Sequence, residues 1–390
     1  MTIKHKYNPQ RRHWLKQGLA AAITAPMLSL GSFKVFADSE TRYSNRVIEL
    51  VNSTQVIDML SLVNPIGQMM AAASDKHPKQ QDAFRISPDY LQSLLNSGVD
   101  VFHPAMGLSA EDSLSFVAGL NSLVAQYAQH IIRIDSMADF ERLQKGKRLG
   151  LIIGIQNADH FRSPDDVDMF YHLGQRVSQL TYNSQNLIGS GSTDRVDGGL
   201  SDFGCQIVER MNQLGMVVDV SHCGDKTTLD AFDISKKPVV ITHSNVRALA
   251  GGHVRCKSDD AIRAVGKANS VMGITGVRQF VSDKEPTNIK SLIEHINYVS
   301  KMIGVEHVGI GSDMDLDGYD DIPQPYYDAL KANYKASYAF RGKIDTDGFD
   351  HPKKVFDLTA GLVGAGYSDD DIRLILGGNF KRVLADIWAG

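Results

Sequence analysis

Residues 216–245 read MVVDVSHCGDKTTLDAFDISKKPVVITHSN, and this segment decides the predicted fold. Two short β-branched runs are joined by a helix-like connector, which is typical of two buried parallel strands in a βαβ unit. Each run ends in a histidine, His222 in the first and His243 in the second. Barrel and doubly wound folds place their chemistry at the carboxyl ends of such strands, so we expect the two imidazoles to lie there together. Neutral imidazoles suit a divalent metal such as zinc, and the alternative is a pair of hydrogen-bonded strand-end residues.

Strand-like and helix-like patterns alternate outward from this segment in both directions. Apolar residues recur at helical spacing in residues 88–96 and 202–214, and glycines that suit helix C-termini precede several strands. Eight strands alternating with helices predict an α/β fold, a single-domain (β/α)₈ barrel of the TIM type. The predicted strands are Val56–Leu62, Val99–His103, Leu149–Gln156, Val177–Tyr182, Met216–His222, Pro238–Ser244, Ser270–Val277 and His307–Met314, and the glycines are Gly98, Gly174, Gly215 and Gly304.

The flanking parts of the chain carry fewer signals. Residues 39–53 are predicted as an outer helix, and helices are predicted at 354–365, 368–376 and 379–388. Residues 322–350 are rich in Tyr, Asp and Gly and are predicted to form a long loop.

Composition excludes some classes of function. The chain has 390 residues, 22% of them charged, with a formal net charge of −4, so nothing indicates nucleic-acid binding. The three cysteines, Cys205, Cys223 and Cys256, are too few and too scattered for a disulfide framework, and they are interpreted as small buried residues.

The amino terminus has the pattern of an export signal. Five Lys and Arg residues between Lys4 and Lys16 precede an apolar segment at about 18–30, and Ala37 ends a small-residue cleavage motif. We therefore predict a signal peptide at 1–37 and a mature barrel domain at 38–390. The pair Arg11-Arg12 resembles a bacterial twin-arginine signal, which implies a periplasmic protein. A membrane anchor is the alternative, but the segment is short for a spanning helix, so no stable anchor is expected.

Several motifs, in order, resemble those of the membrane (renal) dipeptidase family. They are DFGCQIVERMNQLGMVVDVSH at 202–222, VVITHSN at 239–245, HVR at 253–255, SDD at 258–260, HVGIGSDMD at 307–315 and GGNFKRVL at 377–384. The likeness runs from about Val56 to the C-terminus and is dense from Val177 onward. The resemblance implies a zinc peptidase on an amidohydrolase-like barrel, with two zinc ions bridged by a glutamate and dipeptides as substrates.

The resemblance also assigns roles to particular residues. It implies that His222 and His243 hold the second zinc, that Arg255 clamps the substrate carboxylate and that Asp313 handles the proton during attack. A guanidinium fork suits a carboxylate, and a carboxylate near a metal-bound water is a reasonable general base. The substrate implied is a small peptide or a peptide-derived molecule, and a homodimer is left open.

The chain departs from the family at the first zinc site. The family begins its barrel with Asp-Gly-His-Asn-Asp, whereas residues 58–62 here are Asp-Met-Leu-Ser-Leu, so Leu60 and Leu62 occupy the two ligand positions. The bridging glutamate is replaced by Gln156, and the histidine that contacts the oxyanion is replaced by Tyr182, whose hydroxyl can still donate. We therefore expect one zinc ion at most.

That ion would be held by His222 and His243, with Asp313 or the carbonyl oxygen of Gln156 as a third ligand. A metal-free barrel whose histidines only form hydrogen bonds is the alternative.

Other polar residues lie near the predicted strand ends. His103 is expected either to face substrate or to cap a loop, and Asp159-His160 either to add a ligand or to lie on an exposed loop. The loop YNSQNLIGSGSTDR at 182–195, which contains Asn183, either contacts substrate or is a plain connector.

Two functions are compatible with these residues. The first is an exported one-metal hydrolase of a dipeptide or related small amide. The second is a non-hydrolytic descendant that binds or modifies a peptide-derived metabolite during periplasmic maturation.

Overall fold

Parallel strands form the centre of the computed structural model, which describes residues 43–66, 68, 84–320, 322–332 and 334–389. Buried β-branched and aliphatic residues dominate these strands, as expected for a sheet covered on both faces. The strands are β1 Ile57–Asp58, β2 Val101–Phe102, β3 Ile131–Arg133, β4 Leu149–Leu151, β5 Ile153–Ile155, β6 Gln175–Gln179, β7 Val217–Asp219, β8 Val239–Ser244, β9 Met272–Ile274 and β10 Val308–Ile310.

The sheet closes into a barrel. Its strand order is β3-β4-β2-β1-β10-β9-β8-β7-β6-β5, with all the pairings between named strands parallel. Only Ile152 separates β4 from β5, so one continuous run pairs with β2 at its start and with β6 at its end. Each of the eight predicted runs overlaps a barrel strand, which confirms the predicted TIM-type fold. β3 was not predicted, and it pairs with β4 outside the ring.

Helices surround the barrel and follow most of its strands. The predicted helices at 88–96 and 202–214 are confirmed. The helices are α1 Asn45–Ser53, α2 Pro88–Asn96, α3 Ala110–Gln126, α4 Met137–Phe140, α5 Pro164–His172, α6 Asp202–Leu214, α7 Asp225–Ile234, α8 Asp259–Lys267, α9 Arg278–Val281, α10 Ile289–Ile303, α11 Gln324–Ala332, α12 Lys354–Gly364, α13 Asp369–Arg373 and α14 Asn379–Trp388, with a π-helical segment at Leu374–Gly378.

Glycines end helices where the sequence predicts them. Gly98, Gly174, Gly215 and Gly304 all have positive φ values, between 80° and 105°. Other residues rarely adopt this conformation, which turns the chain from the end of a helix toward the next strand.

Helix α14 packs near the starts of the strands, so it leaves the carboxyl ends of the strands open for a site. Phe380, Val383 and Leu384 of α14 join a buried cluster with residues at or near the start of several strands, such as Ile57 and Val217. Burying each such side chain contributes about 1.5–3 kcal/mol relative to exposure.

The prediction of a long loop at 322–350 is wrong, because part of this segment is helical. It contains α11 and a short 3₁₀ turn at Ala336–Tyr338. Hydrogen bonds join the two ends of the segment: the Asp320 carboxylate accepts from the Ile344 amide at 3.0 Å, and the Asp345 carboxylate accepts from the Asp320 amide at 2.7 Å. We call residues 319–345 the tyrosine-rich segment.

Tyr43–Gly390 forms one compact unit. The predicted signal peptide at 1–37 and the start of the predicted 39–53 helix lie outside the described residues, while α1 confirms the rest of that helix. No helix in the described part of the chain combines the length and the hydrophobicity that crossing a bilayer requires.

Candidate active site

A cavity of about 470 Å³ lies at the carboxyl ends of the strands. Residues that follow several strands line it together with the tyrosine-rich segment, and its volume is in the range of small-molecule sites. Among the predicted site residues, those on its wall are Gln156, Tyr182, Asn183 and Asp313, and Leu60 and Leu62 line it too.

His222 and His243 meet behind this wall. Both side chains are buried, and their Nε2 atoms lie 2.9 Å apart. His243 is in β8 and His222 follows β7, so the predicted juxtaposition at adjacent strand ends is confirmed. The Tyr182 ring stacks on His222 with a centroid distance of 4.3 Å.

The hydrogen bonds of the two histidines fix their tautomers. The Thr242 hydroxyl donates to Asp219 at 2.6 Å, so it accepts the 2.7 Å hydrogen bond from Nδ1 of His243. The Asn183 side-chain oxygen accepts from Nδ1 of His222 at 2.7 Å. Each imidazole therefore carries its proton on Nδ1 and an unshared lone pair on Nε2.

Two facing lone pairs at 2.9 Å repel each other unless a cation lies between them. Metal-binding histidines normally donate their second ring nitrogen to a fixed acceptor, and both histidines do so here. Tetrahedral zinc separates two ligating nitrogens by about 3.3 Å, a few tenths of an ångström more than the observed spacing. The pair therefore fits a metal ion with a small rotation of either ring.

Two buried cations stabilise the backbone around the histidines. Lys257 donates to the carbonyls of Val220 and Cys223 at 2.6 and 3.1 Å, on either side of His222. Burial, together with the nearby charges of Arg255 and Lys257, lowers the pKa of both histidines well below the ordinary value. The imidazoles are therefore neutral at physiological pH, as metal binding requires.

Arg255 is not among the residues that line the cavity. Its Nη2 donates to the His243 carbonyl at 3.0 Å and its Nη1 donates to the Ser221 carbonyl. Only its Nε is without a hydrogen-bond partner among the described residues. The guanidinium fork that was predicted to clamp a carboxylate is thus engaged by the strand ends in this conformation.

A complete set of strong ligands is not present in the described residues, which contain no metal-binding group of three or more His, Cys, Asp and Glu. Asp159-His160 was expected either to add a ligand or to lie on an exposed loop, and His160 is in fact buried. His160 instead contacts the Asn157 carbonyl and the Gln175 side chain at 3.0 and 3.1 Å.

Gln156 presents an amide oxygen to the site. Its Nε2 donates to the Ala105 carbonyl at 2.8 Å, and its Oε1 is buried without a partner among the described residues. An unpaired buried oxygen is costly, so a ligand, an ion or a water molecule is expected there. A role as a metal ligand stays a prediction.

The side of the cavity that follows β1 is apolar. Leu60 is buried and Leu62 is partly buried, and both line the cavity. Asp58 is not among the residues that line the cavity; its Oδ1 accepts from the amides of Ser312 and Leu60 at 2.8 and 3.3 Å, and its Oδ2 is buried without a partner among the described residues. Its pKa is raised by burial.

Asp313 projects from a strained backbone. Its φ is 63°, a conformation that side-chain-bearing residues rarely adopt, and its amide donates to the Leu60 carbonyl at 2.8 Å. Burial raises the pKa of its carboxyl to about 7, and the nearby Arg255 partly opposes this rise. A carboxyl with this pKa can both accept and return a proton at neutral pH.

Tyr182 and Tyr334 share a hydrogen bond between their hydroxyls at 2.7 Å. Burial raises the pKa of Tyr182 well above the ordinary value, so its hydroxyl stays protonated. Tyr334 belongs to the tyrosine-rich segment, and sequence reasoning missed it. The high tyrosine content of that segment was the signal that could have identified it.

The two remaining polar candidates have structural partners. Asn183 was predicted to contact substrate; it lines the cavity and also orients His222. His103 is buried and contacts the Met59 carbonyl through Nδ1 at 2.6 Å; a contact with substrate stays a prediction.

Comparisons with known proteins agree with this architecture. The model of the membrane dipeptidase family (peptidase family M19) matches residues 27–334. The chain is similar to Dipeptidase verJ of Clonostachys rogersoniana, with 28% identity over 271 residues, and to Dipeptidase aclJ of Aspergillus oryzae, with 27% identity over 283 residues. These matches cover 69% and 71% of this chain but only 63% and 61% of those proteins, so the chain spans less than two thirds of these curated relatives.

A solved structure has the same fold. An amidohydrolase from Pseudomonas aeruginosa superposes with a TM-score of 0.75 and 26% identity, covering 88% of this chain and 99% of that protein. Because the family model matches most of the chain and the barrel has the expected architecture, the chain belongs to the membrane dipeptidase family.

Proposed function

We propose that this protein is an exported hydrolase that cleaves a dipeptide or a related small amide with a single metal ion. The observation that supports this most directly is the pair of Nε2 lone pairs on His222 and His243, which face each other at 2.9 Å with both Nδ1 atoms already engaged. Export is supported by the predicted signal at 1–37, which contains Arg11-Arg12.

The histidines His222 and His243 would hold the ion, and Gln156 Oε1 is the proposed third donor. A zinc ion bound there polarises a carbonyl and lowers the pKa of water. Two histidines and an amide bind more weakly than a set that includes carboxylates. We expect at most one ion, because Leu60, Leu62 and Gln156 cannot build a second site.

The protein's own groups would handle the proton and the substrate. Asp313, with a pKa of about 7, accepts a proton from water and returns it to the leaving nitrogen. The Tyr182 hydroxyl, which is oriented by Tyr334, donates to the developing oxyanion. The Leu60 and Leu62 side chains exclude water from the opposite wall.

The substrate carboxylate is proposed to pair with Arg255. Because its Nη atoms are held by backbone carbonyls, this contact requires the free Nε or a rearrangement of the fork.

The metal content of the purified protein tests the proposal. We expect at most one zinc-like ion per chain, with turnover of at least one member of a dipeptide panel. The double variant His222→Ala/His243→Ala should lose both the ion and the turnover, whereas His130→Ala, which removes a partly exposed histidine outside the cavity, should lose neither. Two tightly bound ions per chain, or an ion retained by the double variant, would contradict the proposal.

The second candidate is a non-hydrolytic family member that binds or modifies a peptide-derived metabolite. Leu60, Leu62 and Gln156 favour it, because they remove the family's first metal site, and so does the engaged Arg255 fork. A metal-free protein that binds but does not cleave peptides would support this candidate.

A further inference from the structure

A buried carboxylate, that of Asp219, binds the residues next to both histidines. Asp219 is the last residue of β7, and its Oδ1 accepts from the Ser221 amide at 2.9 Å, the Ser221 hydroxyl at 2.5 Å and the Thr242 amide at 3.1 Å. Its Oδ2 accepts from the Thr242 hydroxyl at 2.6 Å. Because Ser221 precedes His222 and Thr242 precedes His243, one carboxylate joins the two strand ends that carry the histidines.

This carboxylate sets the direction of the hydrogen bonds that lead to His243. A carboxylate has four lone-pair sites and no proton to donate, so every neighbour of Asp219 must donate to it. The Thr242 hydroxyl has one proton, which is used on Oδ2 of Asp219, so the hydroxyl can only accept from Nδ1 of His243, 2.7 Å away. The His243 proton therefore stays on Nδ1, and its Nε2 keeps the lone pair that faces Nε2 of His222 at 2.9 Å.

Without this constraint, the two histidines would have a more favourable arrangement in the absence of a metal ion. If His243 carried its proton on Nε2, that N–H would donate to the lone pair on Nε2 of His222, and the 2.9 Å contact would be an ordinary hydrogen bond. Asn183 already accepts from Nδ1 of His222, so the tautomer of His243 decides between the two arrangements. The hydrogen-bond chain from Asp219 excludes the self-satisfied pair.

We propose that Asp219 is a positioning residue that acts through Thr242 to keep the His243 proton on Nδ1, so that the histidine pair presents two lone pairs to a cation. Proteins orient metal-binding histidines with acceptors for the second ring nitrogen, and here the acceptor hydroxyl is itself directed by a carboxylate. The inference deepens the proposed function and rests on it for the presence of a metal ion. The position of the His243 proton can be measured without one.

Asp219→Asn reverses the chain without changing the size of the side chain. Two backbone amides donate to Oδ1, so the asparagine oxygen must keep that position and the NH₂ group must take the position of Oδ2. The NH₂ group then donates to the Thr242 hydroxyl, whose proton is released to Nδ1 of His243 or to the Ser221 hydroxyl at 3.1 Å. Donation to Nδ1 places the His243 proton on Nε2 and removes the clash between the lone pairs, so we expect this arrangement.

NMR of metal-free protein labelled with ¹⁵N-histidine reads the tautomers, because protonated and unprotonated ring nitrogens have well-separated chemical shifts. In the wild type, we expect His222 and His243 both to be protonated on Nδ1. In Asp219→Asn, His243 should change to the form protonated on Nε2, while His222 keeps its proton on Nδ1. The variants His222→Ala and His243→Ala assign the signals. A wild-type His243 protonated on Nε2, or an unchanged His243 tautomer in Asp219→Asn, would overturn the proposal.

Zinc affinity, measured by competition with a chelator, shows the consequence for metal binding. Asp219→Asn and Thr242→Val should each weaken zinc binding about 10–100-fold, because each removes the fixed acceptor for Nδ1 of His243. Thr242→Ser keeps the hydroxyl and should bind zinc within about 3-fold of wild type. Asp100→Asn controls for the loss of a buried carboxylate, since Asp100 lies just before β2 at the other end of the barrel, and it should also bind normally. Normal zinc binding by Asp219→Asn, or an equal loss in Asp100→Asn, would contradict the proposal.

The two measurements separate this proposal from the proposed function. A His243 tautomer that changes in Asp219→Asn, in a protein that binds no zinc, would support the role of Asp219 and contradict the one-metal hydrolase. Zinc binding and turnover by the wild type, with an unchanged tautomer in Asp219→Asn, would do the reverse.

Discussion

On one side of the cavity, after β7 and β8, each imidazole donates its Nδ1 proton to a fixed acceptor, Asn183 or Thr242. On the other side, after β1, Leu60 and Leu62 present only carbon. The two sides lie on the same barrel and follow strands of the same kind. The comparison shows that the fold positions the strand ends, while the side chains placed there decide whether a strand end can bind a metal.

On the polar side, two buried cations hold the backbone. Lys257 and Arg255 donate to the carbonyls around His222 and His243, so two buried charges hold the backbone on both sides of the histidine pair. Burying a charged side chain is costly unless it is hydrogen-bonded. Two histidines that only formed hydrogen bonds would not need two buried cations beside them. These contacts support the proposed metal site at His222 and His243.

The largest expected effect comes from Asp313, which lies between the two sides. Asp313→Asn keeps the size of the side chain but removes its ability to carry a proton, so we expect turnover to fall by about 10²–10⁴-fold. Steady-state kinetics on the best dipeptide would measure this. Asp345→Asn is the control, because that buried carboxyl also has a pKa raised to about 7 but does not line the cavity. Equal losses in both variants would remove Asp313 from the proposed chemistry.

The same substitution should change the pH dependence of stability. Since burial raises the pKa of Asp313 from 3.8 to about 7, the folded state binds the proton more tightly than the unfolded state. The contribution of Asp313 to the free energy of unfolding is then fully present below about pH 4 and is lost as the pH rises through 7. In chelator-treated protein, Asp313→Asn should therefore be about 2–4 kcal/mol more stable than wild type at pH 8 and similar to it at pH 4. Urea unfolding at the two pH values checks the sign.

The barrel could be predicted from sequence because its signals are local. Short apolar runs, helical spacing and capping glycines such as Gly98 and Gly215 each reflect a few neighbouring residues. The 322–350 segment was mispredicted because its high content of Tyr, Asp and Gly indicated a loop. Its folding depends on non-local contacts such as that between Asp320 and Ile344, which no local pattern reveals.

The candidate site was predictable only in part, because some of its contacts join residues that are distant in the sequence. The identity of His222, His243 and Asp313 follows from motifs. The role of Asn183 as the acceptor for His222 and the engagement of Arg255 by carbonyls depend on how distant loops pack. Lys257 gave no signal, because a lysine after a loop is usually exposed, whereas this one is buried.

Metal-ligating side chains can be placed on the apolar side of the cavity to make it resemble the polar side. Leu60→His/Leu62→Asp places a polar pair in an apolar wall without a cation, and we expect it to lower the free energy of unfolding by about 2–5 kcal/mol. Adding Gln156→Glu supplies a bridging charge, so the triple variant should regain stability with zinc and gain dipeptidase activity.

Thermal unfolding and dipeptide turnover, with zinc and with a chelator, separate the double variant from the triple variant. The chelator-treated triple variant is the control for stability gained without metal. If zinc leaves the triple variant no more stable and no more active than the double variant, Leu60 and Leu62 do not occupy the positions of the missing ligands.

The smallest predicted effect tests whether the polar side depends on its supporting contacts. Asn183 has a φ of 60°, so an alanine there would add backbone strain to the loss of the hydrogen bond. Asn183→Gly avoids that strain and removes the acceptor for Nδ1 of His222, together with the longer 3.4 Å hydrogen bond from the Ser192 hydroxyl. The His222 imidazole is then free to exchange tautomers. We expect zinc affinity to fall about 10–100-fold, measured by competition with a chelator.

Asn183→Asp keeps an acceptor oxygen and should bind zinc at least as tightly as wild type. Asn186→Gly, in the same loop but bonded to the Leu180 carbonyl, controls for loop disorder. If Asn183→Gly and Asn186→Gly weaken zinc binding equally, the loop as a whole, and not the His222 hydrogen bond, maintains the site.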